Sequence, residues 1–337
     1  MSKQRHFYID ILRCLAAVAV IFYHVGASGV YSDLTSMLNN WCVPVFVCIS
    51  GIVFLGNGKE HTYSSITKYV LHLLIPLLLW SFFYNFVSLT IMDPPSILRN
   101  ALKACRMILA ADTSFGFQFW YLYMALGIYL TIPLFSRFIN HSSKQDSLSL
   151  MWIMLFFSII LRTLSMCVFG DYDISFWKSA FVSFTGFAVY LLVGYHLHTS
   201  QMKKLPFICL LATALIQLGI GAWLAVSENE YYHNLVGYQS ILTCELTVIV
   251  IVVAQRLAPR IEKSRFLCAA VKAVSDHSFG IFIIHVIVVQ FLRKIFGVDA
   301  GFAPQYISVP ILVAAVLSIS LGISYVMKKI PVLKQLV

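Results

Sequence analysis

Apolar runs of about 20 residues, each long enough to cross a hydrocarbon core roughly 30 Å thick, recur from one end of this chain to the other. They lie at 8–29, 37–57, 66–92, 116–137, 147–169, 176–197, 206–226, 236–256, 273–295 and 305–328, separated by short polar or charged loops. With 60% hydrophobic and 11% charged residues, the chain has too little polar surface for solvated domains. The expected fold is therefore all-α: a polytopic integral membrane bundle of about ten transmembrane helices. It is expected to form a single membrane-embedded domain over residues 1–337, with no fused soluble domain.

The net charge of +10 would suit nucleic acid if it formed one patch. Instead the basic residues sort by loop, which is a topology signal. With Lys3 and Arg5 placed in the cytoplasm, the same side collects Lys59, Arg137, Lys144, Lys203, Lys204, Arg256, Arg260, Lys263, Arg265, Lys272, Lys328, Lys329 and Lys334. Basic residues in the opposite loops, such as Arg99, Lys103, Arg106 and Lys178, are offset by Asp93, Asp112, Asp171, Asp173, Glu228 and Glu230. Both termini are thus expected in the cytoplasm, and no nucleic-acid partner is expected. Arg13 interrupts the first apolar run and no convincing processing site follows, so that run is expected to stay rather than be cleaved. The eight cysteines fall mostly inside the apolar runs without CxxC spacing, and the ten histidines show no metal-ligand spacing. No metal site is expected.

Two of the apolar runs carry costly residues. Arg13 and His24 are eleven positions apart in "DILRCLAAVAVIFYH". At about 100° per residue they return to within roughly 20° of one another, stacked along one helix face with a rise of roughly 16 Å. Asp10, three residues before Arg13, is placed to pair with it or orient it. Arg13 alone reads equally as a snorkelling side chain and His24 alone as a packed core histidine; the aligned pair favours function. A second cluster, "SDHSFGIFIIH", puts Ser278 and His285 seven positions apart on one face. A neutral imidazole can take a hydroxyl proton and return it later. No GxSxG nucleophile elbow accompanies either histidine, so direct attack on a bound thioester is simpler than a covalent acyl-enzyme.

Other ionisable groups fall in or beside the runs. Lys68 and His72 stand at the start of the third run, Arg162 reads as cavity-lining or as an outer-end anchor, and Glu245 as a structural partner or a proton relay. His196 and His198 read as solvated. Residues 95–109 carry Ile97, Leu98, Ala101, Leu102, Cys105, Ile108 and Leu109 at helical spacing, with Arg99, Lys103 and Arg106 off that face. This stretch reads as an outer interfacial helix or as an acceptor-binding lid.

The motifs, taken in order, resemble the acyltransferase 3 family of integral membrane acyltransferases. The likeness rests on "YIDILR" with Arg13 and His24, "VPVFVCISGIVF" with Pro44, Phe46, Ser50 and Gly51, and "FWYLYMALGIYLTIPLF" with Trp120, Tyr121, Leu122, Tyr129 and Pro133. "LLVGYHL" adds Gly194 and Tyr195, and "SFGIFIIH" adds Ser278, Gly280 and His285. One departure is "TKYVLHLLIP", where Lys68 and His72 stand in place of the Arg-x-x-Arg pair of many members. The resemblance implies stand-alone O-acyltransferase activity in a bacterial inner (plasma) membrane. An acyl group, acetyl before succinyl, would pass from cytoplasmic acyl-CoA to a hydroxyl of an extracytoplasmic or lipid-linked glycan. Acetyl-CoA or another acyl-CoA would act as donor substrate, with no permanently bound cofactor. The expected partners are acyl-CoA, the glycan or lipid-linked sugar acceptor, and membrane lipids.

The resemblance also implies roles. His24 would be the general base, Arg13 would engage the donor, and His285 would be a second acid/base or thioester contact. Lys68 and His72 would attract coenzyme A phosphates, while Trp120, Tyr121 and Ser278 would line the donor path. The alternative from a different class is a transporter or exporter of glycan intermediates, and a third is a membrane sensor or structural subunit.

Overall fold

The computed structural model describes residues 6–94, 96–164, 186–229 and 232–337. Its helices run α1 (Phe7–His24), α2 (Gly29–Asn39), α3 (Cys42–Phe54), α4 (Tyr63–Met92), α5 (Ile97–Leu109), α6 (Trp120–His141) and α7 (Lys144–Leu155). They continue with α8 (Val189–Thr199), α9 (Lys204–Val226), α10 (Tyr232–Val236), α11 (Ile241–Ile261), α12 (Arg265–Phe296) and α13 (Gln305–Lys329). Among the described residues nine helical segments are long and apolar enough to cross a membrane, α2 with α3 counting as one and α7 extending to Leu164. The tenth expected span, 176–197, lies partly outside the described residues; its described part belongs to α8. The protein is an all-α, multi-pass membrane protein.

Several boundaries differ from the apolar runs, for local reasons. The run at 8–29 breaks after His24, where Gly26 and Gly29 adopt φ of +85° and +57°, a region L side chains rarely enter. α2 therefore begins at Gly29, eight residues before the expected 37, and joins α3 through a bend at Asn40–Trp41. α4 starts at Tyr63 because Thr62 and Ser65 form a reciprocal capping box. α12 starts at Arg265 because the Ser264 hydroxyl accepts from the Leu267 amide.

α1 is the hub. One core cluster joins it to α3, α8 and α11 through Leu12, Val45, Cys48, Tyr190, Leu191 and Ile251. A second joins it to α4, α12 and α13 through Ile21, Leu77, Ile283, Val309 and Val316. Tyr121, Tyr129 and Phe282 pack against both clusters. Small residues set two of the crossings. A Cβ on Gly51 would lie 2.0 Å from the Leu191 carbonyl oxygen, and one on Gly194 would lie 2.2 Å from that of Cys48, so α3 and α8 touch backbone to backbone. A Cβ on Gly280 would lie 2.2 Å from Ser324 Oγ, so α12 and α13 also approach closely, here glycine against a serine side chain.

The periphery faces lipid. Only 17% of the α9 window is buried inside the protein, against 72% of the α2–α3 window, so α9 presents Leu205, Leu215, Ile216 and Trp223 outward while α2–α3 is a core element. α5 docks on α4 through Asn100, Ala104 and Met107, with Asn100 donating to the carbonyls of Leu89 at 3.4 Å and Asp93 at 2.8 Å. Leu98, Leu102 and Leu109, on its apolar face, are exposed. Among the described residues that face has no protein partner, which is the geometry of an interfacial helix whose third neighbour is the bilayer.

Candidate active site

The two ends of α1 open onto different surroundings. At its N-terminal end a cavity of about 460 Å³ is lined by His6, Asp10, Arg13, Asn57, His198 and Asp276, with Ile9, Ile52, Val53 and Gly56. The chain ends that meet here are the start of α1, the end of α3, the end of α8 and the first turns of α12. Asp10 is buried and accepts from Ser275 Oγ at 2.7 Å, tying α1 to α12. His198 is held by Tyr8, hydroxyl to Nδ1 at 2.7 Å, and stacks edge-on to His6 at 5.0 Å. Arg13 is half-buried in this wall. Ser50, from the second-run motif, donates to the Tyr129 hydroxyl at 3.5 Å.

At the other end of α1, His24 Nδ1 lies 2.8 Å from Nε2 of His285, with the rings stacked at 5.0 Å between centroids. His285 is fully buried, and its Nδ1 lies 3.1 Å from the Ile281 carbonyl oxygen one turn earlier on α12. That carbonyl decides the tautomers. It can only accept, so His285 carries its hydrogen on Nδ1 and, when neutral, presents a lone pair at Nε2. His24 must then donate from Nδ1. In the neutral pair this leaves His24 Nε2 without a proton, a base by construction. Phe117 and Tyr23 pack edge-on to the His24 ring at 4.9 and 5.3 Å, restricting its rotation.

An aromatic column runs from α3 to the histidine pair. Tyr121 packs on Phe46 at 5.9 Å and on Phe282 at 5.4 Å, and Phe282 lies 6.1 Å from the His285 ring. Tyr121 is thus linked to the histidine pair, while Arg13 lines the cavity at the far end of α1. Ser278 is half-buried, one turn from Phe282 on α12. Lys68 and His72 are not in the lining of the Arg13 cavity. Both are exposed on α4, with the Lys68 ammonium over the Tyr69 ring at 4.9 Å and His72 packed at 5.7 Å on Phe279, next to Ser278. Trp120 parts company with Tyr121. It stands beyond the His24 end, 5.3 Å from Tyr238 and 5.8 Å from Phe187.

Other expectations are revised. His198 is not a solvated residue but part of the cavity wall, and His196 is buried. Glu245 serves as a structural tie: Thr213 and Gln217 of α9 donate to its two carboxylate oxygens at 2.9 and 2.6 Å. Arg162 lines a second cavity, beside Trp120. Sequence reasoning missed Ser275, His6 and His198. Asp10 carried a hint of the first, since a carboxylate inside an apolar run needs a donor.

A family model described as an acyltransferase domain matches residues 6–329. The chain belongs to the acyltransferase 3 family. The match runs from the residue before α1 to the last residue of α13, so both ends of the acyltransferase 3 core, the Arg13 cavity and the histidine pair, lie within it. Neither the curated proteins nor the solved structures yield a significant match to the chain. This acyltransferase 3 chain is a membrane acyltransferase.

Proposed function

We propose that the protein is an O-acyltransferase that moves an acetyl or other short acyl group from cytoplasmic acyl-CoA to a hydroxyl of an extracytoplasmic or lipid-linked glycan in a bacterial inner membrane. The observation that carries this reading is the relay Ile281 carbonyl, His285, His24, which leaves one imidazole nitrogen unprotonated beside an aromatic-walled path. The donor would occupy the Arg13 cavity, where Asn57, Asp10 and Asp276 form the polar part of the wall and Arg13 is the fixed cation. Lys272, exposed on the first turns of α12, and Lys328, which donates to the Asp276 carbonyl, add positive charge near Asp276; Lys68 adds more from α4. These residues suit the phosphates of coenzyme A. The acyl-bearing arm would extend past Tyr121 and Phe282 toward His24, a rise of roughly 16 Å along α1.

His24 Nε2 removes the acceptor hydroxyl proton as the oxygen attacks the thioester carbonyl. The imidazolium that forms keeps its Nδ1 hydrogen on His285, whose buried ring spreads the charge toward the Ile281 carbonyl. That attack forms the ester C–O bond and the tetrahedral intermediate; its collapse restores the carbonyl and breaks the C–S bond, and His24 returns the proton to the departing thiolate. Free coenzyme A and the acylated glycan result, and no acyl-enzyme is needed. The test is transfer of label from radiolabelled acetyl-CoA to envelope glycan by the purified, folded protein. His24→Ala is expected to lower kcat by roughly 10² to 10⁴. Undiminished transfer by that variant removes His24 as the base, and movement of unlabelled glycan across vesicles instead of transfer would establish a transporter.

A further inference from the structure

A second cavity, of about 380 Å³, lies beyond the His24 end of α1, lined by Trp120, Arg162, Phe187, Gly237, Tyr238 and Gln239. Three of these are aromatic and form one cage: Trp120 to Tyr238 is 5.3 Å between centroids, Trp120 to Phe187 5.8 Å and Phe187 to Tyr238 6.4 Å. Tyr238 is 6.3 Å from Tyr23, which adjoins His24. The loop that carries Tyr238 and Gln239 is held from three elements. Asn40, at the α2–α3 bend, donates to the Val236 carbonyl. Tyr190 of α8 donates to the Tyr238 carbonyl at 3.1 Å, and the Ile241 amide donates to Thr163 Oγ1 at 3.2 Å. A loop fixed this way gives a cavity formed before any ligand arrives, which lowers the ordering cost of binding.

The lining selects the ligand class. An alkyl chain would gain from the rings but leave the Gln239 amide facing hydrocarbon. A pyranose suits both parts of the lining: its C–H face lies on aromatic rings while its hydroxyls meet an amide that donates and accepts, in a wall that also carries the Arg162 side chain. We propose that this cavity is the acceptor subsite, which seats one pyranose ring of the glycan against Trp120, Phe187 and Tyr238 and thereby holds a neighbouring hydroxyl at His24. The catalytic link rests on the acyl-transfer reading; the sugar site itself does not.

Gly237 supplies the means to close it. Its φ is not in the left-handed region, and a Cβ there would sit 3.6 Å from the nearest Arg162 nitrogen, in ordinary contact. Gly237→Ala is therefore tolerated, whereas the longer side chain of Gly237→Leu enters the cavity. The experiment titrates the purified full chain in detergent with the methyl glycosides of glucose, N-acetylglucosamine and glucuronic acid, reading tryptophan fluorescence. Acetyl-CoA binding is measured separately by calorimetry. At least one glycoside is expected to change the fluorescence of the wild-type protein and of Gly237→Ala. Trp120→Phe should remove that signal, and Gly237→Leu and Gln239→Ala should weaken glycoside binding tenfold or more, all with acetyl-CoA affinity within twofold of wild type. The proposal is overturned if no glycoside binds, or if Gly237→Leu, folded by its thermal transition, binds glycoside as the wild type does. Glycoside binding without any acyl transfer would leave the sugar site in place and remove the acyltransferase reading, so the two failures are distinct.

Discussion

His24 Nε2 is an acceptor only while His285 keeps its own hydrogen on the Ile281 carbonyl, so the base is set by a residue 261 positions away in the chain. The prediction at this scale separates position from chemistry. His285→Ala removes the acceptor for His24 Nδ1–H, leaving a buried donor unpaired and the ring free to present either nitrogen. A lost hydrogen bond to a group that becomes charged is worth about 1.5–3 kcal/mol, so kcat should fall roughly ten- to a hundredfold. His285→Gln offers an amide oxygen to the same Nδ1–H and should recover most of that loss. Measuring kcat and the KM for acetyl-CoA in both variants checks this: equal losses in the two, or a change confined to KM, would remove the tautomer role. The alignment of Arg13 with His24 was legible in the sequence because helical periodicity is local. The pairing of His24 with His285, and of Asp10 with Ser275 across 265 positions, was not, because side-chain period says nothing about which helix comes to face which.

Helices α3 and α8 meet through glycines that face backbone atoms, Gly51 at 2.0 Å and Gly194 at 2.2 Å from a partner carbonyl oxygen once a Cβ is added. Backbone cannot yield as a flexible side chain does, so Gly194→Ala must push the helices apart and disturb the packing of Cys48, Tyr190 and Leu191 in the core that surrounds Arg13. The expected cost is about 1–3 kcal/mol, as for other insertions into close-packed interiors. It would be seen as a lower thermal transition in detergent, with Gly127→Ala as the control, since nothing lies within 4 Å of a Cβ there. An unchanged transition would show that α3 and α8 are not packed as described. The motif glycines stood out in the sequence, but their reason did not: a close helix approach is a property of two segments. Helix ends were similarly hidden. The apolar run through residue 29 gave no sign that Gly26 turns the chain and leaves His24 as the last residue of α1. Lys68 and His72, expected to attract coenzyme A phosphates, are exposed on α4 outside the lining of the Arg13 cavity, a placement that periodicity does not reveal on a helix whose apolar residues point in all directions.

The side-chain clusters also fix the relative placement of the ends of the whole molecule. His6, Asn57, His198 and Asp276 line one cavity, and Lys328 reaches the Asp276 carbonyl, so the beginning of α1 and the end of α13 lie on the same side. Tyr23, Phe117, Trp120, Phe187 and Tyr238 meet at the opposite end. Among the described residues nine segments qualify as spans, and α8, though only eleven residues long, is buried in the core beside them. Which side is cytoplasmic is a matter of charge rather than packing. Lys59, Lys144, Lys203, Lys204, Arg260, Lys263 and Arg265 fall with the Arg13 cavity, the arrangement the positive-inside rule assigns to the cytoplasm. Lys103 is exposed on α5 at the opposite end, off the apolar face that carries Cys105. In intact cells a membrane-impermeant maleimide should label a cysteine introduced as Lys103→Cys in the Cys105→Ala background, and Cys105→Ala alone should lack that label. A cysteine introduced as Lys59→Cys in the Cys105→Ala background should react only after the membrane is opened. The reverse pattern would place the Arg13 cavity outside, away from cytoplasmic acyl-CoA, and the donor assignment would fall with it while the histidine relay stayed intact.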